Sequence, residues 1–365
     1  MSRPVKTKLI HWWLAQASQR GWWSVAARPV AWLYAWLAQR AHRNGLGKRQ
    51  ALPVPVVVVG NVLVGGTGKT PVVAAVVAHL QAIGMRPGIV ARGYRATSSA
   101  HAQRGVGATP TLVQADSFVT DCGDEPKLLF ELTHVPVCVH SQRLLAAQHL
   151  LAQHPAVNVI VSDDGLQHAA LPRDIEIVVF DERATGNGQL LPAGLLREPW
   201  PRRAAQQPAA HCLVVQNGVG APTVASNNTR SPVFASLRVL GALHPLLPKS
   251  VSGAAPIAGD TVQILAGIAK PQAFAAMLRS QGLIVARTAP VLDHDALDGS
   301  WPSGFGLNPD LPTICTAKDA VKLRARADAA QLNIWVAPLS VELPTAFWAA
   351  FDQCLSQVAP TCTTR

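Results

Sequence analysis

The stretch Val56–Pro71, reading VVVVGNVLVGGTGKTP, constrains this chain more than any other. Four consecutive valines make a short, wholly apolar, β-branched run, the pattern of a central parallel strand buried on both faces. A glycine-rich turn then ends in Gly68-Lys69-Thr70, and the apolar segment VVAAVVAHL that follows is long enough with its flanks to be a buried helix. Strand, glycine loop and helix in that order set backbone N–H groups and a helix N-terminus around an anion. The lysine reaches the β/γ-phosphates and the threonine hydroxyl meets Mg2+. These residues point to a nucleoside triphosphate site.

The loop departs from G-x-x-x-x-G-K-[ST] in one place, because Leu63 stands where that pattern has a glycine and Gly65 and Gly66 come later. Glycines are needed where the backbone nears the phosphates or takes a positive φ, and the GGTGKT cluster still supplies them. The competing reading is a glycine turn of a βαβ unit that binds nothing.

At 365 residues the chain exceeds what one core usually supports, so two domains are expected. Its formal charge of +11 sits at one end: no Asp or Glu precedes Asp116, and that segment holds fourteen of the 32 Lys and Arg. Such an asymmetry argues for a local anionic partner rather than a uniformly basic protein. Six cysteines show no C-x-x-C pair and no Cys/His metal spacing, so they read as reduced thiols and zinc is not expected. No apolar segment with a small-residue cleavage site opens the chain, so no secretory signal is expected.

Six of the ten tryptophans lie in residues 1–50, as Trp12-Trp13, Trp22-Trp23, Trp32 and Trp36, interleaved with arginines and lysines. The pattern predicts helices over about 5–20 and 29–43, with Pro29 in the first turn of the second. Tryptophan favours the headgroup level of a bilayer and cationic side chains favour anionic lipid. Trp22–Ala38 is short for a span and contains Arg28 and Pro29, so a helical hairpin lying in the interface is expected. Alternatively, these tryptophans pack against the body of the protein. No nucleic-acid module accompanies the basic residues, so nucleic acid is not an expected partner.

A strand running into a basic turn is expected over Pro87–Arg95, apolar strands at Val135–Val139 and Ile175–Asp181, and a hydrophobic strand ending in acidic residues within Val157–His168, alternating with helices. That alternation predicts an α/β fold, a P-loop NTPase-like doubly wound parallel sheet with N-terminal membrane-associating helices and a second, smaller α/β domain. The expected divisions are 1–50, 51–225 and 226–365, with a linker over 218–232. In the smaller domain, strands are expected at Thr261–Ala266, Leu283–Arg287 and Asn333–Val341, and helices at Gln272–Gln281 and from TAKDAVK onward. Asp124 and Glu125 open a helix, where carboxylates cap, hold a metal or take a proton. Asp163 and Asp164 end a strand, the usual place of a Mg2+-associated carboxylate, though an Asx turn reads the same way. Residues 186–203 are too rich in Gly and Pro for regular structure and read as a functional loop.

Taken in order, GNVLVGGTGKTP, ARGY, GDEP, SDDGLQH, GNGQLLPAGLLREP, LAGIAKPQAF, DH and TAKDAVK resemble the tetraacyldisaccharide 4′-kinase family, from about residue 10 to about 342. The resemblance implies transfer of the ATP γ-phosphoryl group to the 4′-hydroxyl of a tetraacyl glucosamine disaccharide 1-phosphate. That lipid A precursor lies at the cytoplasmic face of the bacterial inner membrane, so the anionic membrane surface is an implied partner. ATP and Mg2+ are the implied cofactors. By the same resemblance Leu63, Val64, Gly65, Gly66, Thr67, Gly68, Lys69 and Thr70 hold the ATP phosphates, with Lys69 on the transferring end and Thr70 on Mg2+. Asp124 and His294 resemble the family's catalytic dyad. Arg143, Asp163, Asp164, His168 and Arg197 match motifs around the nucleotide, and Glu125, Asp163 and Glu198 match motifs around the metal. Asp124 and His294 fall on opposite sides of the expected boundary, which implies domain closure. A different class of protein, a membrane-recruited P-loop ATPase switch acting on a protein partner, also suits the loop and the basic start, but has no use for that pair.

Overall fold

The computed structural model describes residues 13–93, 109–202, 209, 211–218, 224, 231–248, 254–289, 291 and 295–358. It divides into two compact units. Unit 1 takes in Met1–Arg92, His140–Leu237 and Glu342–Arg365, and unit 2 takes in Gly93–Val139 and Arg238–Val341. Both are discontinuous, which differs from the contiguous division expected around residue 225. The segment after the second strand joins residues 238–341, and the chain's last helix returns to unit 1, as do the first fifty residues.

After a helical stretch over 13–18, the elements are α1 (Trp22–Ala26), α2 (Arg28–Leu46), β1 (Val56–Gly60), α3 (Lys69–Ala82), β2 (Pro87–Ala91), β3 (Thr111–Leu112), α4 (Val119–Cys122), α5 (Asp124–Thr133), β4 (Val137–Val139), α6 (Arg143–Gln153), β5 (Val159–Asp163) and β6 (Ile175–Phe180). There follow β7 (His211–Asn217), β8 (Val233–Leu240), β9 (His244–Pro245), β10 (Thr261–Leu265), α7 (Pro271–Ser280), β11 (Ile284–Thr288), β12 (Thr313–Thr316), α8 (Ala317–Leu323), β13 (Ile334–Ala337), β14 (Leu339–Glu342) and α9 (Thr345–Val358).

In unit 1 the valine strand β1 lies between β5 and β6, parallel to both, with Val59 opposite Asp163 and Gly60 opposite Val178. β2 extends the sheet beyond β5, and β7 and then β8 extend it beyond β6, all parallel. Burial on both faces explains the unbroken apolar run of β1. The α3 side chains Val72, Val73, Val76, Val77 and Leu80 are fully buried, each stabilising the unit by roughly 1.5–3 kcal/mol. The register brings the carboxyl ends of β1 and β5 together where α3 begins, the position at which open α/β sheets bind ligands.

The C-terminal helix α9 buries Phe347, Phe351 and Leu355 at helical spacing. Phe347 meets Phe234 edge-on at 5.4 Å. His79 of α3 stacks on Trp348 at 4.2 Å, and its Nε2 lies 2.7 Å from Asp352 Oδ1.

Unit 2 carries a sheet in the order β11-β10-β12-β13-β9, parallel except for β9. Alternate residues feed two cores. Ile264, Ile314 and Trp335 pack with Phe274, Ala275 and Leu278 of α7, whereas Leu265, Cys315 and Val336 pack with Ala320 and Leu323 of α8. The single strand expected over Asn333–Val341 is two, β13 and β14, divided at Pro338. Proline has no N–H for a ladder, and the Pro338 carbonyl instead accepts the Gly241 N–H at 2.9 Å.

The N-terminal tryptophans divide into two sets, one packed on the body of the protein and one exposed. The indole N–H groups of Trp13 and Trp23 donate to the Pro192 carbonyl at 3.1 and 3.0 Å, and Trp23 packs with Ala27, Ala31 and Ala193. Trp22, Trp32 and Trp36 remain 65%, 72% and 55% exposed. Among the described residues no helix is long and apolar enough to cross a membrane.

Candidate active site

The glycine loop is shaped by its own glycines and braced from three sides. Gly65 and Gly68 take φ of +89° and +79°, which L side chains rarely adopt. Gly68 is the N-cap of α3 and no side chain caps that helix, so its first N–H groups are open to an anion. Asn61 Nδ2 donates to the Gly65 carbonyl at 3.2 Å. From the end of β7, Asn217 Nδ2 donates to the Thr67 carbonyl at 2.7 Å and to that of Gly68 at 3.3 Å. Ser236 Oγ in turn donates to Asn217 Oδ1 at 2.6 Å.

The third brace is the Gly- and Pro-rich loop. Val64 N–H donates to the Leu195 carbonyl at 2.9 Å and Arg197 N–H to that of Val62 at 2.7 Å. Leu63 forms an antiparallel bridge to Leu196 and is fully buried. A paired, buried backbone position favours an apolar side chain, which accounts for leucine where the general pattern has glycine. Arg183 donates to the Val64 carbonyl at 3.2 Å and grips Asp181 at 2.9 Å. The turn itself demands Gly194, since a Cβ there would sit 2.1 Å from Asn187 Oδ1 and 2.3 Å from the Gln189 carbonyl. Inside the glycine loop, Thr67 Oγ1 is buried without a hydrogen-bond partner.

Charged groups converge beside this loop. Lys69 Nζ lies 3.5 Å from Asp164 Oδ1, and Arg197 Nη1 lies 3.2 Å from the same oxygen and 3.0 Å from Asn61 Oδ1. Burial is the largest single influence on Asp164 and would raise its pKa. The Lys69, Arg197 and Arg143 charges outweigh it and hold the carboxyl below its ordinary range. Asp163, at the end of β5, is buried. Arg143 is buried too and donates to the carbonyls of His140 and Asp163 at 3.2 and 3.4 Å, and burial brings it down to about 10. It supports the strand end from within. Burial, then Arg143 and Arg92, push His168 down to about 4, so the imidazole is neutral at pH 7. Glu198 accepts from Gln167 at 2.9 Å and Arg202 at 3.0 Å. Arg202 and Arg173 both pair with the buried Glu176, which ties the SDDGLQH turn to the REP loop.

In unit 2, Asp124 is the first residue of α5 and follows Gly123, whose φ is +93°. The Glu125 N–H donates to Asp124 Oδ1 at 3.1 Å. Lys322 and Lys318 of α8 bring their ammonium groups to 3.5 and 3.8 Å from Asp124 Oδ2, and Lys318 also lies 3.2 Å from Glu125. Asp319 anchors α8: its Oδ2 accepts the Thr316 hydroxyl at 2.7 Å and the Gly267 N–H at 3.1 Å. Lys127 Nζ donates to the carbonyls of Gln114 and Ala115 at 3.0 and 2.7 Å, pinning the segment ahead of α5.

Of the expected site residues, Leu63, Val64, Gly65, Gly66, Thr67, Gly68, Lys69, Thr70, Arg143, Asp163, Asp164, His168, Arg197 and Glu198 belong to unit 1. Asp124 and Glu125 belong to unit 2, with residues 238–341. His294 lies outside the described residues. Among the metal expectations, Glu125 is engaged by Lys318 and Glu198 by Arg202. No cluster of three His, Cys, Asp or Glu side chains that could hold a metal ion occurs among the described residues. Thr70 and Asp163 remain as oxygen donors near the loop, the donor type Mg2+ takes beside phosphates. The motifs alone did not single out Asn61, Asn217, Ser236, Lys318 or Lys322. For the lysines a signal was present, the i, i+4 spacing within TAKDAVK.

Residues 23–356 match the family described as tetraacyldisaccharide-1-P 4′-kinase, LpxK. The chain is 41% identical over 341 residues to the tetraacyldisaccharide 4′-kinase of Polaromonas sp. (strain JS666 / ATCC BAA-500), covering 92% of this chain and 94% of that one. It is 42% identical over 340 residues to the tetraacyldisaccharide 4′-kinase of Chromobacterium violaceum, covering 91% and 93%. The fold matches that of the "apo" form of Aquifex aeolicus LpxK crystallised in complex with ATP, with a TM-score of 0.71 at 24% identity, over 92% of this chain and 99% of that one.

Proposed function

The chain belongs to the tetraacyldisaccharide-1-P 4′-kinase family, and from that premise we infer how its residues carry out the reaction. The enzyme transfers the γ-phosphoryl group of ATP to the 4′-hydroxyl of a tetraacyl glucosamine disaccharide 1-phosphate, a step of lipid A biosynthesis. Phosphoryl transfer asks a protein mainly for positioning and for neutralisation of charge. The observation that carries the nucleotide half is the convergence of Lys69 and Arg197 on Asp164, beside an uncapped helix N-terminus. In this reading Asp164 holds the two cations where phosphate oxygens take them over. The glycine loop's N–H groups, kept in place by Asn61 and Asn217, grip the β- and γ-phosphates. When bound, Mg2+ neutralises phosphate charge. Thr70 Oγ1 and Asp163 are the donors that would hold it. Asp124 accepts the proton of the 4′-hydroxyl as the new O–P bond forms, and His294 orients that hydroxyl.

The acceptor carries four acyl chains, and moving each CH₂ out of a bilayer costs about 0.8 kcal/mol, so the enzyme must come to the membrane. Exposed Trp22, Trp32, Leu33, Trp36 and Leu37 supply an apolar surface on α1 and α2. Arg28, Arg40 and Arg43 supply positive charge for anionic lipid, Arg40 lying 5.6 Å above the Trp36 ring. Docking through these helices puts the enzyme at the cytoplasmic face of the inner membrane.

The test is transfer of ³²P from γ-labelled ATP to tetraacyl disaccharide 1-phosphate in mixed micelles, with and without Mg2+. Labelled bisphosphorylated lipid is expected from the full-length protein only with Mg2+ present. Free phosphate without labelled lipid would overturn the reading in favour of an ATPase switch.

A further inference from the structure

We propose that Lys318 and Lys322 are positioning residues that clamp the Asp124 carboxylate in the orientation from which it takes the acceptor's proton. The proposal rests on the reading of Asp124 as the base. One carboxylate oxygen is held by the Glu125 N–H at 3.1 Å, and the other faces two ammonium groups at 3.5 and 3.8 Å. The two lysines lie one turn apart on one face of α8, so both reach the same oxygen. Lys322 is itself fixed, donating to the Asp295 carbonyl at 2.9 Å.

Holding the fold together does not account for this arrangement. Asp319 already fastens α8 to Gly267. Arg324, just past α8, already joins Glu131 of α5 at 2.6 Å. Well-packed apolar side chains would join the two helices at least as stably as buried charges, whose desolvation offsets their attraction. Two cations on one buried carboxylate do something apolar groups cannot: they fix its rotation, so that one oxygen stays turned toward the acceptor's hydroxyl.

The experiment uses the full-length enzyme in the mixed-micelle assay, with ATP binding measured separately and thermal melting as the check on folding. Lys318→Met, at the more exposed of the two positions, is expected to lower kcat about tenfold or more while the KM for ATP stays within about twofold. Lys318→Arg restores most of the lost turnover. In an Asp124→Asn background Lys318→Met is expected to add no further loss, because it acts through that carboxylate. A full additional loss there would overturn the clamp, as would unchanged kcat in both Lys318→Met and Lys322→Met while Asp124→Asn is inactive. Undiminished turnover by Asp124→Asn would instead overturn the base assignment on which the clamp depends.

Discussion

Each unit contains a lysine–aspartate contact at 3.5 Å, Lys69 with Asp164 in one and Lys322 with Asp124 in the other. The surroundings reverse their roles. The Asp164 side chain is 33% exposed and has Lys69 and Arg197 drawn onto it beside a loop built to receive an anion. The Asp124 side chain is 8% exposed and lies under two lysines whose helix is anchored elsewhere. In the proposed reading the first carboxylate holds a place for phosphate and its cations are the working groups, whereas the second carboxylate is itself the working group and its cations steady it. Distance alone does not distinguish the two; exposure and the anchoring of each partner do.

That contrast is most exposed to failure at Asp124. Asp124→Asn removes a proton acceptor while keeping size and much of the hydrogen bonding, and kcat is expected to fall about 10²–10⁴-fold with ATP binding retained. Loss of ATP binding in this variant would erase the distinction between the two aspartates. Lys69→Ala comes next. It removes one preorganised charge from the developing transition state, and a fall of about 10²–10³-fold in kcat is expected, with nucleotide binding weakened as well. The two variants are separated by titrating a fluorescent ATP analogue: Asp124→Asn matches the unmodified enzyme and Lys69→Ala does not.

Asp164→Asn sharpens the comparison directly. If Asp164 is a placeholder, the amide still accepts from Arg197 and the freed cations still meet phosphate, so kcat/KM is expected to fall about tenfold at most, since partly exposed ion pairs contribute about 0–1 kcal/mol. A loss as large as that of Asp124→Asn, measured in the same assay, would show that both aspartates act directly on the reaction.

How much of this was legible in the sequence follows from the range over which each feature is determined. The valine strand, the glycine loop and the helix after it are local and were readable, down to Lys69 at the helix start. Leu63 stood out as an exception, but its reason, the bridge to Leu196, lies more than a hundred residues away. The clamp on Asp124 is of the same kind: GDEP and TAKDAVK were each visible, and only the packing of α8 on α5 brings them together. Contiguous reading also places a domain boundary where composition changes, whereas the chain leaves unit 1 after β2 and returns to it twice. The last helix carries no motif, and only the period of Phe347, Phe351 and Leu355 marks it in the sequence.

The smallest expected effect concerns the charge balance on the nucleotide side. Cations there outnumber what Asp164 and Asp163 offset, and after burial itself they are what keep His168 near 4. A histidine whose pKa is lower folded than unfolded, where it is about 6.5, binds its proton more readily in the unfolded state. Its contribution is therefore nil above about pH 6.5, and the protein loses stability as pH falls from there to about 4. With the side chain only partly shielded from water, the loss is expected to be on the order of 1 kcal/mol, and His168→Gln removes that part of the slope. Urea unfolding at pH 7.5 and pH 5 compares the two proteins, and an NMR titration of the ring reads the pKa itself. A midpoint near 6.5 would mean that the ring is hydrated and that the surplus of positive charge beside the loop is already neutralised in the free enzyme. Asp164 would then be a full partner to Lys69 and Arg197 rather than a placeholder, and the two lysine–aspartate pairs would differ in exposure alone.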